Sequence, residues 1–368
     1  LPGLLAGPLS PLRLVDRDEP RPTAEGWARL RPLLAGICGS DLNTLSGGSS
    51  FYFTALVSMP FVPGHEVVAR LLDDVDGLKA GDRVVLDPIL SCSARGVVPP
   101  CSPCSAAEPG LCERVTGGHV SPGLQTGYCA DTGGGWGGML VAHRSQLHGV
   151  PEGMSDAAAV LVEPLACAVR AARRGGVERD ATVLVVGAGA VGLLTLLALK
   201  EFTEAGKVVV AAKHVAQARL ARRYGAEVVP VAEALGAVRR ASRAIRLDPE
   251  RSSPFLLGGA DVSFECAGSA AALDLALRAT RGGGKVVLAG MPARADLSPA
   301  WFRELELVGS YSGTGAFGHA LALAEEGEVE KLLSATYPLS RWRPALEHAF
   351  SAGRLGAVKV AFEPGGEA

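Results

Sequence analysis

The sequence predicts an α/β chain of two domains, one β-rich and irregular, the other a doubly wound parallel sheet. Three observations carry this. The chain has 368 residues, about twice the length of a typical single domain. From about residue 154 to 299, short apolar runs alternate with helix-period segments, the rhythm of strands and crossover helices. Residues 1–150 instead carry brief strand-like runs between turn-forming Gly, Pro and Ser. The expected division is 1–153 with 300–368, and 154–299.

Lys and Arg total 36 against 38 Asp and Glu, a net charge of −2. That balance argues against a polyanion-binding surface, so no nucleic-acid partner is expected. Hydrophobic residues make up 48% and charged residues 20%, a composition that folds. Mean hydropathy is +0.24. No apolar run reaches the roughly 18 residues of a membrane span, so no membrane is expected. Leu1–Ser10 shows no basic-then-apolar leader, and the eight Cys crowd rather than spread as a disulfide framework. Both point to a cytoplasmic protein.

Along the chain, Trp27–Leu30, Val67–Leu72 and Arg83–Leu86 read as strands. Residues 88–138, dense in Pro, Gly, Ser and Cys, read as loop held by something other than a core. The second domain then runs in order: strand Val183–Val186, helix Val191–Lys200, strand Val208–Ala212, helix Ala216–Tyr224 and strand Val228–Val231. Strand Val262–Cys266, helix Ala270–Thr280 and strand Val286–Ala289 complete it. The tail, 300–368, is expected to return to the first domain.

An apolar strand leads into Gly187-Ala-Gly189-Ala-Val191-Gly192 and then a helix. Gly187 permits the turn, Gly189 lets the backbone approach a pyrophosphate, and Gly192 lets helix and strand pack closely. In that context the glycine pattern marks a dinucleotide site. A carboxylate about 20 residues further on would grip a ribose 2′-hydroxyl. The next strand ends instead in Ala212-Lys213-His214. Lys213 and His214 are placed to meet a 2′-phosphate, so NADP(H) is favoured over NAD(H); the plainer reading is a solvated loop with a chance Lys.

Cys101, Cys104 and Cys112 have C-x2-C-x7-C spacing, with Cys92 nine residues earlier. Four thiolates suit a closed structural zinc site. The alternative is a group of free thiols. A scattered second set comprises Cys38 in GICGSD, His65 and Glu66 in PGHE, and Glu163 in EPLACA. Each is ordinary alone. Together they supply a thiolate, an imidazole and a carboxylate, the composition of a catalytic zinc with one open position.

These motifs, with GDRV at 81–84, VGAGAVG at 186–192, ECAG at 265–268 and GAVKV at 356–360, occur in one order along nearly the whole chain. In this the sequence resembles the zinc-dependent medium-chain dehydrogenases of the alcohol, polyol and threonine dehydrogenase group. The resemblance implies a GroES-like catalytic domain with a Rossmann domain inserted before its last segment. It implies Cys38 and His65 as catalytic zinc ligands, with Glu163 slightly ahead of Glu66 as the third. It gives Ser40 the proton-passing hydroxyl and Asp41 the carboxylate that orients the zinc histidine. Cys266, Gly290, Tyr311 and Lys359 fall in segments similar to those lining the cofactor. The family is usually dimeric or tetrameric, and Trp301–Tyr311 is one candidate edge.

Two departures stand out. The family spaces its first three lobe cysteines at x2, whereas Val98 stands three before Cys101. Residues 116–135, with Cys129, are longer than the family norm, and read either as a wall over the active site or as a decorative surface loop. The reading is a zinc-dependent alcohol or polyol dehydrogenase, a small alcohol or ketone its substrate. A zinc-free quinone or enoyl reductase of the same fold, and a non-catalytic cofactor-binding redox sensor, are the alternatives.

Overall fold

The computed structural model describes residues 10–291 and 294–365. The reading of Leu1–Ser10 as lacking a leader therefore lies, apart from Ser10, outside the described residues. Fifteen strands form among the described residues. They are β1 (Trp27–Gly36), β2 (Val67–Leu71), β3 (Arg83–Leu86), β4 (Leu140–His143), β5 (Leu147–Gly149), β6 (Thr182–Val186), β7 (Lys207–Ala212) and β8 (Glu227–Pro230). They continue as β9 (Ile245–Leu247), β10 (Phe255–Leu257), β11 (Ala260–Glu265), β12 (Thr280–Leu288), β13 (Glu306–Gly309), β14 (Leu333–Tyr337) and β15 (Lys359–Phe362). The helices that matter below are α1 (Gly39–Leu45), α2 (Val162–Gly175), α3 (Ala190–Phe202), α4 (Val215–Arg223), α5 (Ala234–Ser242) and α6 (Ala270–Ala279). No helix among the described residues is long and apolar enough to cross a membrane.

The chain divides into two units, residues 1–166 with 313–368, and residues 167–312. Both breaks fall later than the sequence suggested. The first lies inside α2, whose helical period hides it. The second comes after β13, which pairs parallel with β12 and so belongs to the second sheet. Residues 300–312 therefore stay with the second unit, and only the chain from 313 onward returns to the first.

In the first unit a seven-stranded sheet runs β14-β15-β1-β2-β3-β5, with β4 also paired to β1. β1 alternates buried and exposed positions over its first half, as a half-covered strand should. Its buried side packs with Val67, Leu71, Leu86, Trp136, Leu140 and Phe362 into one core. Residues 88–138 are mostly irregular, as expected, with short helical turns at Cys92–Arg95 and Ser102–Ser105.

In the second unit six parallel strands stand in the order β13-β12-β11-β6-β7-β8. That is the doubly wound order, with β6 at the centre and the switch point beside it. Every residue of β6 is buried, which is why it reads as a continuous Thr-Val-Leu-Val-Val run rather than an alternating one. α3 packs on β6, α5 on β7 and β6, and α6 on β11 and β6. A separate ribbon, β9 with β10, lies off this sheet.

Candidate active site and metal centres

The cysteine lobe is built on two helical turns and a tight bend. Cys92 opens one turn, Cys101 precedes the other, and Cys112 follows Pro109–Leu111. The structure brings Cys92 back to the other three, so all four ligand atoms lie within 4.8 Å of one another. Cys92 Sγ is 3.6 Å from Cys101 Sγ and 3.7 Å from Cys112 Sγ, and those two are 3.9 Å apart. A tetrahedral zinc with Zn–S bonds of about 2.3 Å separates its sulfurs by about 3.8 Å. Amide N–H groups of Cys101, Glu113 and Arg114 point at the sulfurs of Cys92, Cys101 and Cys112, each at 3.4 Å. The Glu113 amide foremost brings the Cys101 thiol down to about 6 against the opposing burial. Spacing, geometry and thiolate-stabilising amides all fit a structural zinc.

The second constellation is assembled by α1 and the loop before β2. Asp41, the third residue of α1, reaches back so that its Oδ2 accepts the Cys38 amide at 3.0 Å and caps the helix. Its Oδ1 stands 3.4 Å from His65 Nδ1, an ion-pair distance without hydrogen-bond alignment. On the opposite edge of the ring, Ser40 Oγ lies 3.4 Å from His65 Nε2. The Cys38 side chain also acts on the imidazole's charge. Burial alone would push His65 down, yet Asp41 and Cys38 hold it well above its ordinary value. A thiol, an imidazole backed by a carboxylate and a nearby hydroxyl fit a metal centre with a histidine ligand.

Glu66 and Glu163 are both buried. Glu66, however, is engaged: Lys359 Nζ donates to its Oε1 and Oε2, each at 2.6 Å, and to Ile37 O at 3.4 Å. Gly36 makes room for this pair, since a Cβ there would stand 2.0 Å from Glu66 Oε2. Burial draws the Lys359 ammonium down, but Glu66, Cys38 and Glu163 together raise it. Lys359, expected along the cofactor, is thus enclosed in the first unit as the counter-charge of Glu66. Among the described residues only the four lobe cysteines draw three or more ligand atoms within 4.8 Å of one another; Cys38, His65, Glu66 and Glu163 are not gathered that closely, though Cys38, Glu66 and Glu163 all act on Lys359.

In the second unit the glycine turn follows β6 directly. Gly187 adopts φ +106°, closed to ordinary side chains, and a Cβ on Gly192 would meet Gly187 O at 1.9 Å. A Cβ on Gly189, which caps α3, would meet nothing within 4 Å, so its open side faces the approach a phosphate would use. Val191 is half-buried in the first turn of α3. Lys213 is exposed and His214 half-buried, immediately after β7 and before α4. Cys266 is buried with its sulfur 3.8 Å from Thr195 Oγ1, so its thiol packs on α3, and burial pushes it up to about 12. Gly290 is packed against Gly268 and Glu265, while Tyr311 is half-exposed.

Two residues the sequence reading missed shape the first unit. Tyr128, from the long stretch 116–135, puts its hydroxyl 3.5 Å from Asp41 Oδ1 and 3.3 Å from Thr44 Oγ1. Its ring lies 5.9 Å from that of His65 and 5.1 Å from that of Phe61. Burial and the Asp41 charge hold the phenol above the ordinary tyrosine range. Arg95 is fully buried, and its guanidinium donates to the carbonyls of Leu90, Gly117, Val120, Ser121 and Gly123 at 2.6–3.3 Å. The stretch is therefore not a decorative loop. The visible signal was Gly127 before the tyrosine; the Arg95 contacts, 22–28 residues ahead in sequence, left none.

Residues 24–152 match the alcohol dehydrogenase GroES-like domain, and residues 190–326 match the zinc-binding dehydrogenase domain. A sorbitol dehydrogenase of Arabidopsis thaliana is 30% identical over 343 residues, covering 91% of this chain and 87% of that one. An L-idonate 5-dehydrogenase of Vitis vinifera is 28% identical with the same coverage. Among solved structures, the 2R,3R-butanediol dehydrogenase of Bacillus subtilis shares the fold, with a TM-score of 0.74, 24% identity and 96% of each chain covered.

Proposed function

This chain belongs to the zinc-binding medium-chain dehydrogenase family, and we propose that within it the protein interconverts a small alcohol or polyol and its ketone or aldehyde, using NADP(H). The observation that carries the reading is His65 set between Asp41 at Nδ1 and Ser40 at Nε2, with Cys38 acting on its charge. Cys38, His65 and Glu163 would hold a zinc ion, because Lys359 already occupies both oxygens of Glu66. The ion, when bound, supplies Lewis-acid polarisation of the substrate oxygen. Asp41 fixes the imidazole with Nε2 turned toward the ligand group. Ser40 Oγ would accept the substrate hydroxyl proton as it releases its own to solvent, since the residue is only half-buried.

Gly187, Gly189, Val191 and Gly192 would seat the pyrophosphate at the N-terminus of α3. Lys213 supplies a positive charge and His214 a hydrogen-bonding ring for a 2′-phosphate, with Ala212 where a ribose-gripping carboxylate would stand. Cys266, Gly290 and Tyr311 follow the ends of β11, β12 and β13, the side of a parallel sheet where ligands bind. We read the protein as cytoplasmic, and as a homodimer or homotetramer. The exposed Trp301, Phe302 and Leu307, the last on edge strand β13, support an association face.

The test is metal content with and without Cys38. Protein purified without added zinc should carry about two zinc ions per chain, and Cys38→Ser about one. The variant should lose turnover on a polyol panel while still binding NADPH. Full activity in a Cys38→Ser protein lacking the second metal would refute the zinc role. A much higher kcat/KM with NAD than with NADP would refute the cofactor choice.

A further inference from the structure

Of the residues in stretch 116–135, Tyr128 alone among those described brings a side chain to the His65–Asp41 pair, and nothing in the metal-site reading uses it. The backbone is built to put it there. Gly64, just before His65, and Gly127, just before Tyr128, both have positive φ, at +98° and +88°. A Cβ on Gly127 would stand 3.0 Å from Gly64 O, so the two segments pass backbone against backbone. Hydrogen bonds pin the crossing on both sides: Thr126 N to Pro88 O at 2.8 Å, Leu124 N to Leu56 O at 3.0 Å and Gly135 N to Gly64 O at 2.9 Å. From this rigid crossing the phenol reaches Asp41 Oδ1, while Thr44 Oγ1, itself 3.1 Å from Ser49 Oγ, takes up its other side.

We infer that Tyr128 is a positioning residue for the metal-binding imidazole: its hydroxyl donates to Asp41 and its ring lies alongside His65, so the long stretch 116–135 holds the histidine in its ligating orientation. The inference rests on the reading of Cys38, His65 and Glu163 as a zinc site. Asp41 Oδ1 faces both His65 Nδ1 and the phenol, so removing the phenol frees the carboxylate to rotate about its remaining bond to the Cys38 amide. A carboxylate that wanders orients the imidazole less well, and metal affinity falls.

The test uses Co(II) as the probe. Zinc-free protein is titrated with Co(II), and the signal of the Cys38 site is the part of the visible absorption that Cys38→Ser abolishes. Tyr128→Phe keeps the ring and should leave the thermal unfolding midpoint of the zinc-loaded protein unchanged. It should weaken Co(II) binding at that site about fivefold and shift its d–d bands, leaving the four-cysteine signal alone. Thr44→Val, one bond further out, should give a smaller weakening of the same kind. Wild-type affinity and bands in Tyr128→Phe, with the signal still lost in Cys38→Ser, would overturn the role of Tyr128 alone. No loss of signal in Cys38→Ser would overturn the metal-site reading and this role with it.

Discussion

Asp87, at the end of β3, offers a measurement whose sign the structure dictates. The residue is 6% exposed. Its Oδ1 accepts the Ile89 amide at 3.2 Å and the Thr314 hydroxyl at 3.1 Å. Burial raises its carboxyl from 3.8 to about 6, and those two bonds only partly oppose the rise. Between about pH 4 and 6 the folded protein therefore keeps a proton that the unfolded chain has released. Stability falls as pH rises through that window and has lost its full amount above pH 6. The shift, about 6 minus 3.8, corresponds to about 3 kcal/mol. Asp87→Asn keeps the Oδ1 acceptor and removes the charge, at about 1 kcal/mol for burying an amide NH2. The variant should be more stable than the native protein by about 2 kcal/mol at pH 8, and slightly less stable at pH 4. Urea unfolding followed by tryptophan fluorescence reads this, since Trp27, Trp136 and Trp342 all lie in the same unit. An Asn variant that is weaker at pH 8, or that differs from the native protein equally at both pH values, would refute the argument.

Lys359→Met should leave the Glu66 carboxylate buried without its counter-charge, lowering stability by about 3–5 kcal/mol in thermal unfolding. Adding Glu66→Gln should recover most of that loss, and a Lys359→Met protein as stable as the native one would contradict the pairing. Gly192→Ala forces a methyl against Gly187 O, whereas Gly189→Ala meets open space. Both should cost at least about tenfold in NADPH affinity by fluorescence titration, but only Gly192→Ala should also lower the unfolding midpoint. Native affinity in Gly189→Ala would show that the glycine turn does not seat the phosphates.

The second unit was largely legible because its strands are buried on both faces. Apolar runs such as Thr182–Val186, ended by Gly187, have no alternative use. The start of β12, Thr-Arg-Gly-Gly-Gly-Lys, was not legible: only Thr280 and Lys285 of it are paired with β11, with a register shift between them, and its own residues carry no strand pattern. β13 itself is short and largely exposed, so its own residues do not mark it as part of the second sheet. In the first unit, motif spacing identified Cys38, His65 and the lobe cysteines. The pairing of Lys359 with Glu66 spans 293 residues and depends on β15 lying beside β1, information no local pattern holds. Tyr128 was hidden for the same reason: its partner Asp41 is 87 residues away.

Arg95 gives the long stretch an anchorage of an unusual electrical kind. Ion pairs at the surface, such as Lys79 with Asp74 or Arg29 with Asp73, weaken as salt is added, because counterions compete across solvent. The hydrogen bonds of Arg95 go to backbone carbonyls, and its charge sits where counterions do not reach. That mooring of the segment that carries Tyr128 toward His65 is therefore one that added salt does not loosen.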